Sequence, residues 1–378
     1  MNTIAVVSFS DISSDSRVLK QIKSLSQRYR VVSIGFGPTP LHSFAHLNIQ
    51  KNQSFFRLQY FRLLFVFRNY RLFSFHFYNF LDCLHFFKIH KASLFLLNDC
   101  SSWPLIHYLD ARVVLIDAHE FSPDELSDNF KWRLLIKPYK LWCSYFASKA
   151  AACFSVEENI CNLWQSFSGV DFSLLPNSSL HYPSPLPLST RYLSKNPTFV
   201  HHGVAHPSRK IELMLQAFVH ASSTISSDFY LTGGNSYYLS ELSSIADSIP
   251  NCRICNPVLH DQLHLTLSNY MYSLISIYPS NLNYQYCLPN KLFQCIQARL
   301  PIVCGPTPSI ANIVQSFGIG VVARDFSPLS LGNAIDRVLA LSYDDLLINL
   351  ENAAATLCWD HDQNILISSV NELSSTPL

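Results

Sequence analysis

The segment Leu288-Pro289-Asn290-Lys291-Leu292-Phe293 holds residue types suited to binding an anion. Pro289 fits the first turn of a helix, where its missing N–H costs nothing. The backbone amides at such a start lack intrahelical acceptors and face toward negative charge. Lys291 adds a full positive charge beside that end, and Gln294, about one turn on, has the reach to bond a ribose hydroxyl. Phosphate binding follows from these properties. A Pro-started helix that merely fills the core is the plainer alternative, and the segment alone does not choose between them. His119, in Asp117-Ala118-His119-Glu120, is a second candidate. It stands just past the β-branched run Val113-Val114-Leu115-Ile116, and open α/β sheets bind ligands beyond the carboxyl ends of their strands. An isolated His also serves structure, so this placement is suggestive only in context. Arg17 falls at the first strand-to-helix turn, as a cleft-facing cation or a plain surface residue.

These side chains need strands and helices in alternation to position them, and the sequence supplies both. Ile4 to Ser8 reads as a buried strand, and the polar turn Asp11 to Ser16 leads into a helical period carried by Val18, Ile22 and Leu25. Strands are expected at Val31–Ile34, Ala92–Leu97 and Val113–Ile116, with a helix-like stretch to about Leu109. A second series follows the Pro- and Ser-rich stretch Pro183 to Ser194, which reads as a linker near 183–196. Its strands are expected at Thr198–His201, Phe229–Leu231, Leu274–Ile277 and Pro301–Cys304. Helices are expected near 211–218, 289–298 and 330–341, and from about Tyr343 to the end. Such alternation predicts two doubly wound α/β lobes, with no short internal repeat.

Bulk properties agree with two lobes, since 378 residues exceed one ordinary core. With 27 basic against 26 acidic residues, no global field favours nucleic acid. The 11 cysteines show no pairing logic, and Cys252 and Cys255 lack the second pair a zinc site needs, which suits a reducing cytoplasm. The opening Met1 to Val7 reads as a strand rather than a signal peptide. No apolar run approaches the roughly 18 residues of a membrane span.

One segment is compositionally distinct. Between Phe55 and Leu97 lie 12 phenylalanines and the six basic residues Arg57, Arg62, Arg68, Arg71, Lys88 and Lys91, against a single acid, Asp82. Basic groups interleaved with Phe and Leu suit contact with an anionic membrane surface. The other reading is a helical hairpin whose aromatics form core.

Taken in order along the chain, these motifs resemble family 4 glycosyltransferases of bacterial surface-polysaccharide type. The 288–293 segment is similar to the family's PNKLFE-type donor motif, followed by its A-x-x-P-I-V strand at Ala298 to Val303. Asp15-Ser16-Arg17-Val18 resembles the D-x-R-V start, Asp117 to Glu120 the D-A-H-E strand end, and Ser155-Val156-Glu157 and Leu175-Pro176-Asn177 later landmarks. His202-Gly203 through Arg209-Lys210-Ile211-Glu212 resembles the G…R-G-I-E element, Leu231-Thr232-Gly233-Gly234 the next glycine turn, and Cys358-Trp359-Asp360 the W-E of the closing helix. Their order and spacing carry the resemblance, which spans nearly the whole chain.

The resemblance implies a GT-B fold with an interlobe cleft: an acceptor-side Rossmann-like lobe at 1–185, a nucleotide-sugar-binding lobe at 186–342, and helices at 343–378 crossing back. It implies retaining transfer from a UDP- or GDP-sugar to a saccharide, plausibly lipid-linked, at the cytoplasmic membrane face, with no cofactor and no required metal. Arg209, Lys210 and Lys291 would neutralise the donor diphosphate, with Gly203, Gly233, Pro289, Asn290, Leu292 and Gln294 completing the donor site. His119 would contact the transferred sugar as the catalytic candidate, and Arg17, Asp117 and Glu120 would lie on the acceptor or cleft side. Two glutamates that the family often carries eight residues apart are here Tyr286 and Gln294, and no Gly follows Arg209. Those departures keep two rivals open: a non-catalytic GT-B subunit that binds a partner, and a nucleotide-sugar epimerase, for which extra acids beyond Asp117 and Glu120 would be expected.

Overall fold

The computed structural model describes residues 2–49, 55–125, 130–183, 196–222, 224–259 and 262–375. The chain divides into two compact units, Met1–Pro176 with Asp362–Leu378, and Asn177–His361. Most of the Pro- and Ser-rich stretch after Pro183 lies outside the described residues.

The first unit runs β1 (Thr3–Asp11), α1 (Ser16–Ser26), β2 (Arg30–Phe36), β3 (Ala45–Asn48), α2 (Phe55–Val66), α3 (Tyr70–Phe77), α4 (Phe80–His90), β4 (Ala92–Asn98), β5 (Val114–Ala118), α5 (Lys137–Ser144), β6 (Ala152–Ser155), α6 (Glu158–Ser168) and β7 (Ser173–Leu174). Among the described residues its strands pair in parallel in the order β3-β2-β1-β4-β5-β6-β7. The order reverses between β1 and β4, so the carboxyl ends of these strands form the switch point where such sheets bind ligands. Ile4 to Val7 are all fully buried, as both faces of a parallel sheet are covered. Asp15 caps the amides of Arg17 and Val18 at the start of α1, and Val18, Ile22 and Leu25 recur on its buried side. The stretch Cys100–Tyr108, expected as ordinary helix, is a 3-10 helix with Pro104 inside it. Proline cannot supply the amide hydrogen of an i→i−4 bond.

The second unit runs β8 (Thr198–Val204), α7 (Ile211–His220), β9 (Ser226–Thr232), α8 (Ser236–Asp247), β10 (Cys252–Cys255), α9 (Leu263–Leu267), β11 (Tyr272–Ile275), α10 (Leu282–Gln285), α11 (Asn290–Gln297), β12 (Ile302–Cys304), α12 (Pro308–Ser316), β13 (Gly320–Val322), α13 (Pro328–Leu339) and α14 (Tyr343–Thr356). Among the described residues the parallel order is β10-β9-β8-β11-β12-β13, with the switch point between β8 and β11. Successive strand residues point to opposite faces. Accordingly Phe199 joins the core under α7, α8 and α13, and Val200 the core under α11, α12 and α14. The expected closing helix is two helices, α14 and α15 (Trp359–Ser375), broken at Leu357 and Cys358. From Asp362 the chain belongs to the first unit, where Ser24 and Tyr29 donate to Gln363 (2.7 Å) and Asn371 (2.6 Å).

The Phe- and Arg-rich segment forms α2, α3 and α4, and its aromatics divide. Phe61, Tyr70, Phe73, Phe80 and Phe87 are buried, and Phe65 packs on Phe73 and Tyr139 at 5.0 and 5.6 Å. Phe56, Leu63, Val66 and Phe67 are exposed, Phe56 at 84% and Phe67 at 78%, as are Arg62, Arg68, Arg71 and Lys88. Among the described residues no helix is long and apolar enough to cross a membrane.

Candidate functional site

In the second unit the carboxyl end of β8 delivers His201, His202 and Gly203 to the switch point, and α11 brings Lys291 and Gln294 to the same place. Gly203 has φ +140°, and a Cβ there would stand 2.8 Å from Lys291 Nζ and 3.7 Å from Arg209 Nη1. The position therefore favours glycine for backbone conformation and for the close approach of the Lys291 side chain. Lys291 is only 6% exposed, and its Nζ lies 3.4 Å from His201 Nε2. His201 Nδ1 is 2.8 Å from the Leu274 carbonyl, which fixes the proton on Nδ1 and leaves Nε2 as acceptor for Lys291. His202 Nε2 donates to Gln294 Oε1 at 2.9 Å.

Burial is the first cause and the Arg209 charge the second in lowering the Lys291 pKa to about 7. Burial, then the Lys291 charge, holds His201 well below its ordinary value and brings His202 down to about 4. Near neutral pH both imidazoles are uncharged, while part of the Lys291 population stays positive. The side chains meeting at Gly203 include no acid. A binding anion would restore the Lys291 proton, since an opposite charge favours the charged form.

Pro289 occupies the cap position of α11, with ψ 150°, and the helix starts at Asn290 rather than at the proline. The Leu292 amide is taken by the Pro289 carbonyl at 2.9 Å, and its side chain is fully buried, so only the amides of Asn290 and Lys291 retain the free character of a helix start. Asn290 Oδ1 accepts from Asn177 at 2.6 Å. Lys210, at φ +51°, and Gly233, at φ +60°, are exposed and take no part in the bonds around Gly203.

In the first unit Arg17, expected to face the cleft, is buried at 2% exposure against a fully buried Asp117. Its Nε and Nη2 each donate to the carboxylate at 2.7 Å, and Nη2 also reaches the Leu175 carbonyl at 2.9 Å. Gln21 Nε2 adds a bond at 2.5 Å. Although burial opposes ionisation, the Arg17 charge and the bonds from His119 and Arg17 hold Asp117 far below the usual carboxylate range. A buried charge persists when it is paired in this way. His119 Nε2 lies 3.1 Å from Asn98 Oδ1 and 3.5 Å from Asp117 Oδ2. The ring is thereby fixed at the carboxyl ends of β4 and β5 with Nδ1 left for another partner.

Glu120 stands apart from this pair. Burial, then the neighbouring Glu125 carboxylate, raises it to about 8, and Lys140 lies 2.9 Å from Glu125 and 3.5 Å from Asp99. The structure thus joins Gly203, Arg209, Lys291 and Gln294 in one unit and Arg17, Asp117 and His119 in the other. The motifs gave no role to His202 and did not include His201, Gln21 or Asn98. Two consecutive histidines at a strand's carboxyl end were a visible signal; Gln21 and Asn98 had none.

No protein-family model and no curated protein matches the sequence. Solved structures do resemble the chain. Sucrose-phosphate synthase from Thermosynechococcus elongatus has a TM-score of 0.75 at 14% identity, covering 99% of this chain and 100% of that one. Anabaena HepE, in complex with UDP and glucose, has 0.69 at 10% identity over 98% of this chain and 100% of that one. WaaG, a glycosyltransferase involved in lipopolysaccharide biosynthesis, has 0.61 at 10% identity over 96% and 99%. At such identities the likeness is one of fold. The chain has the GT-B architecture, α/β with two Rossmann-like lobes.

Proposed function

We propose that the chain is a glycosyltransferase of family 4 type that transfers a sugar, with retained configuration, from a UDP- or GDP-sugar to a lipid-linked saccharide in surface-polysaccharide synthesis on the cytoplasmic side of a membrane. The observation that carries this reading is the convergence of Lys291 and Arg209 on Gly203 at the switch point of the second unit, beside the start of α11. That grouping suits a diphosphate: two cations, free backbone amides, and glycine where backbone and phosphate must approach closely. As the glycosidic bond breaks, negative charge grows on the leaving diphosphate, and fixed cations lower the energy of that state without reorganising. Gln294 supplies a neutral amide for the ribose, oriented by His202. His119 is the candidate catalytic group of the first unit, held by Asn98 and Asp117. The exposed apolar and basic residues of α2 and α3 support contact with an anionic membrane surface.

Incubation with a panel of UDP-, GDP- and CMP-sugars, with nucleotide release and calorimetric binding as readouts, tests the proposal. At least one donor should bind and turn over, and Lys291→Ala should weaken its binding by about tenfold or more, the loss of one charge-assisted contact. Absence of both binding and release across the panel would overturn it in favour of a non-catalytic binding subunit.

A further inference from the structure

A cavity of about 270 Å³ opens in the first unit beside α3, α5 and the 3-10 segments Cys100–Tyr108 and Tyr145–Lys149. Rings make its walls: Tyr108, Trp142, Tyr145 and Phe146, with Tyr145 exposed at 68%. Its charges are Arg71 and Lys149, and none of the described residues lining it is acidic. Arg71 lies over the Tyr108 ring, 5.9 Å from the centroid, with its Nε 3.5 Å from the hydroxyl. Lys149 Nζ is 5.2 Å from the centroid of Phe146. Among the described residues both cations are laid against aromatic faces rather than carboxylates, which leaves the Arg71 Nη and Lys149 Nζ hydrogens for an incoming acceptor.

The cavity differs from the sites described above. From Tyr108 the chain leads into the amino end of β5, and from Lys149 into the amino end of β6, whereas His119 follows the carboxyl end of β5. Its size falls just under the roughly 300–1,000 Å³ of sites for drug-sized ligands. Apolar walls with two uncompensated cations complement a single molecule with an apolar body and a doubly charged head. Arg offers a planar fork to phosphate oxygens and Lys a point charge.

We propose that this cavity binds one amphipathic phosphate, an aliphatic chain ending in a phosphate group, with Arg71 and Lys149 on the phosphate and the four rings around the first carbons of the chain. This inference is independent of the donor site and of the exposed face of α2. Trp142 provides the reporter, because it is the tryptophan lining the cavity while Trp103, Trp132, Trp164 and Trp359 are buried elsewhere.

The full chain is titrated with dodecyl phosphate below its micelle concentration, following tryptophan emission and, separately, heat. Binding should saturate at one equivalent, and the emission change should vanish in Trp142→Phe while the heat remains. Arg71→Gln with Lys149→Gln should weaken binding at least tenfold, and Lys149→Arg should keep it, which separates lost charge from lost folding. Inorganic phosphate and dodecyl maltoside, which carry the head or a chain alone, should each bind at least tenfold more weakly. Equal binding of dodecyl maltoside, wild-type affinity in the doubly neutralised variant, or no saturable binding would each overturn the proposal.

Discussion

Lys291 combines deep burial with a second cation, Arg209, close by. An ammonium whose folded pKa is near 7 against an unfolded value near 10.4 makes the unfolded chain the stronger proton binder between those limits. Stability without ligand is therefore lowest below about pH 7 on this account and recovers as pH rises toward 10. Lys291→Met should raise unfolding free energy at pH 7 by more than about 1.4 kcal/mol, one unit of pKa, while weakening nucleotide binding. A variant no more stable than the wild type in urea would refute the burial cost. An anion at Nζ raises the pKa, so UDP binding at pH 7.5 should take up a proton, and affinity should fall as pH rises above 7. Calorimetry in buffers of different ionisation enthalpy reads the uptake directly; equal uptake by wild type and Lys291→Met would remove Lys291 from the diphosphate. The motifs offered Lys291 and Gln294 as candidates but gave no role to His201 and His202, whose neutrality follows from three-dimensional neighbours.

At the scale of elements, helical and strand periods were legible where one face is buried, as in α1 and β1, and less so where tertiary packing decides. The helices α2, α3 and α4 illustrate the limit. Phenylalanines there serve both as core, at Phe61 and Phe73, and as surface, at Phe56 and Phe67, a division that composition alone could not make. The proposed membrane contact gives the basic residues beside these exposed side chains a testable role. Replacing Arg57, Arg62 and Arg68 by Gln should reduce co-sedimentation with vesicles containing phosphatidylserine by at least tenfold, given about 1 kcal/mol per basic residue near such a surface. Unchanged sedimentation would assign the basic residues a role unrelated to lipid. The 3-10 form of Cys100–Tyr108 differs from the helix-like stretch expected there, and the short strands β3 and β7 lack the length for a periodic signal.

At the scale of the whole molecule, the buried Arg17–Asp117 pair ties α1 and β5 to the Leu175 carbonyl, and Asp117 together with Asn98 on β4 orients His119. Asp117→Asn leaves Arg17 charged and unpaired in the interior, which costs about 3–5 kcal/mol when a buried pair loses one partner. Denaturant unfolding should show that loss in the first unit's transition; a change below about 1 kcal/mol would mean that water or a rearranged carbonyl replaces the carboxylate. Alternation of apolar strands with amphipathic helices determined, from sequence alone, two doubly wound α/β lobes, since local periodicity is set by which face is buried. The sequence also offered Pro289 and Lys291 as an anion-binding candidate, because proline and a cation near a helix start have local conformational and charge requirements. Only the tertiary structure decided that Arg17 is an interior counter-ion, that Gln294 is engaged by His202, and that Arg71 and Lys149 share a ring-lined cavity. Burial and electrostatic pairing between residues as distant as Arg17 and Asp117 depend on how strands from separate parts of the chain are brought side by side, and that information is not present in any local stretch of sequence.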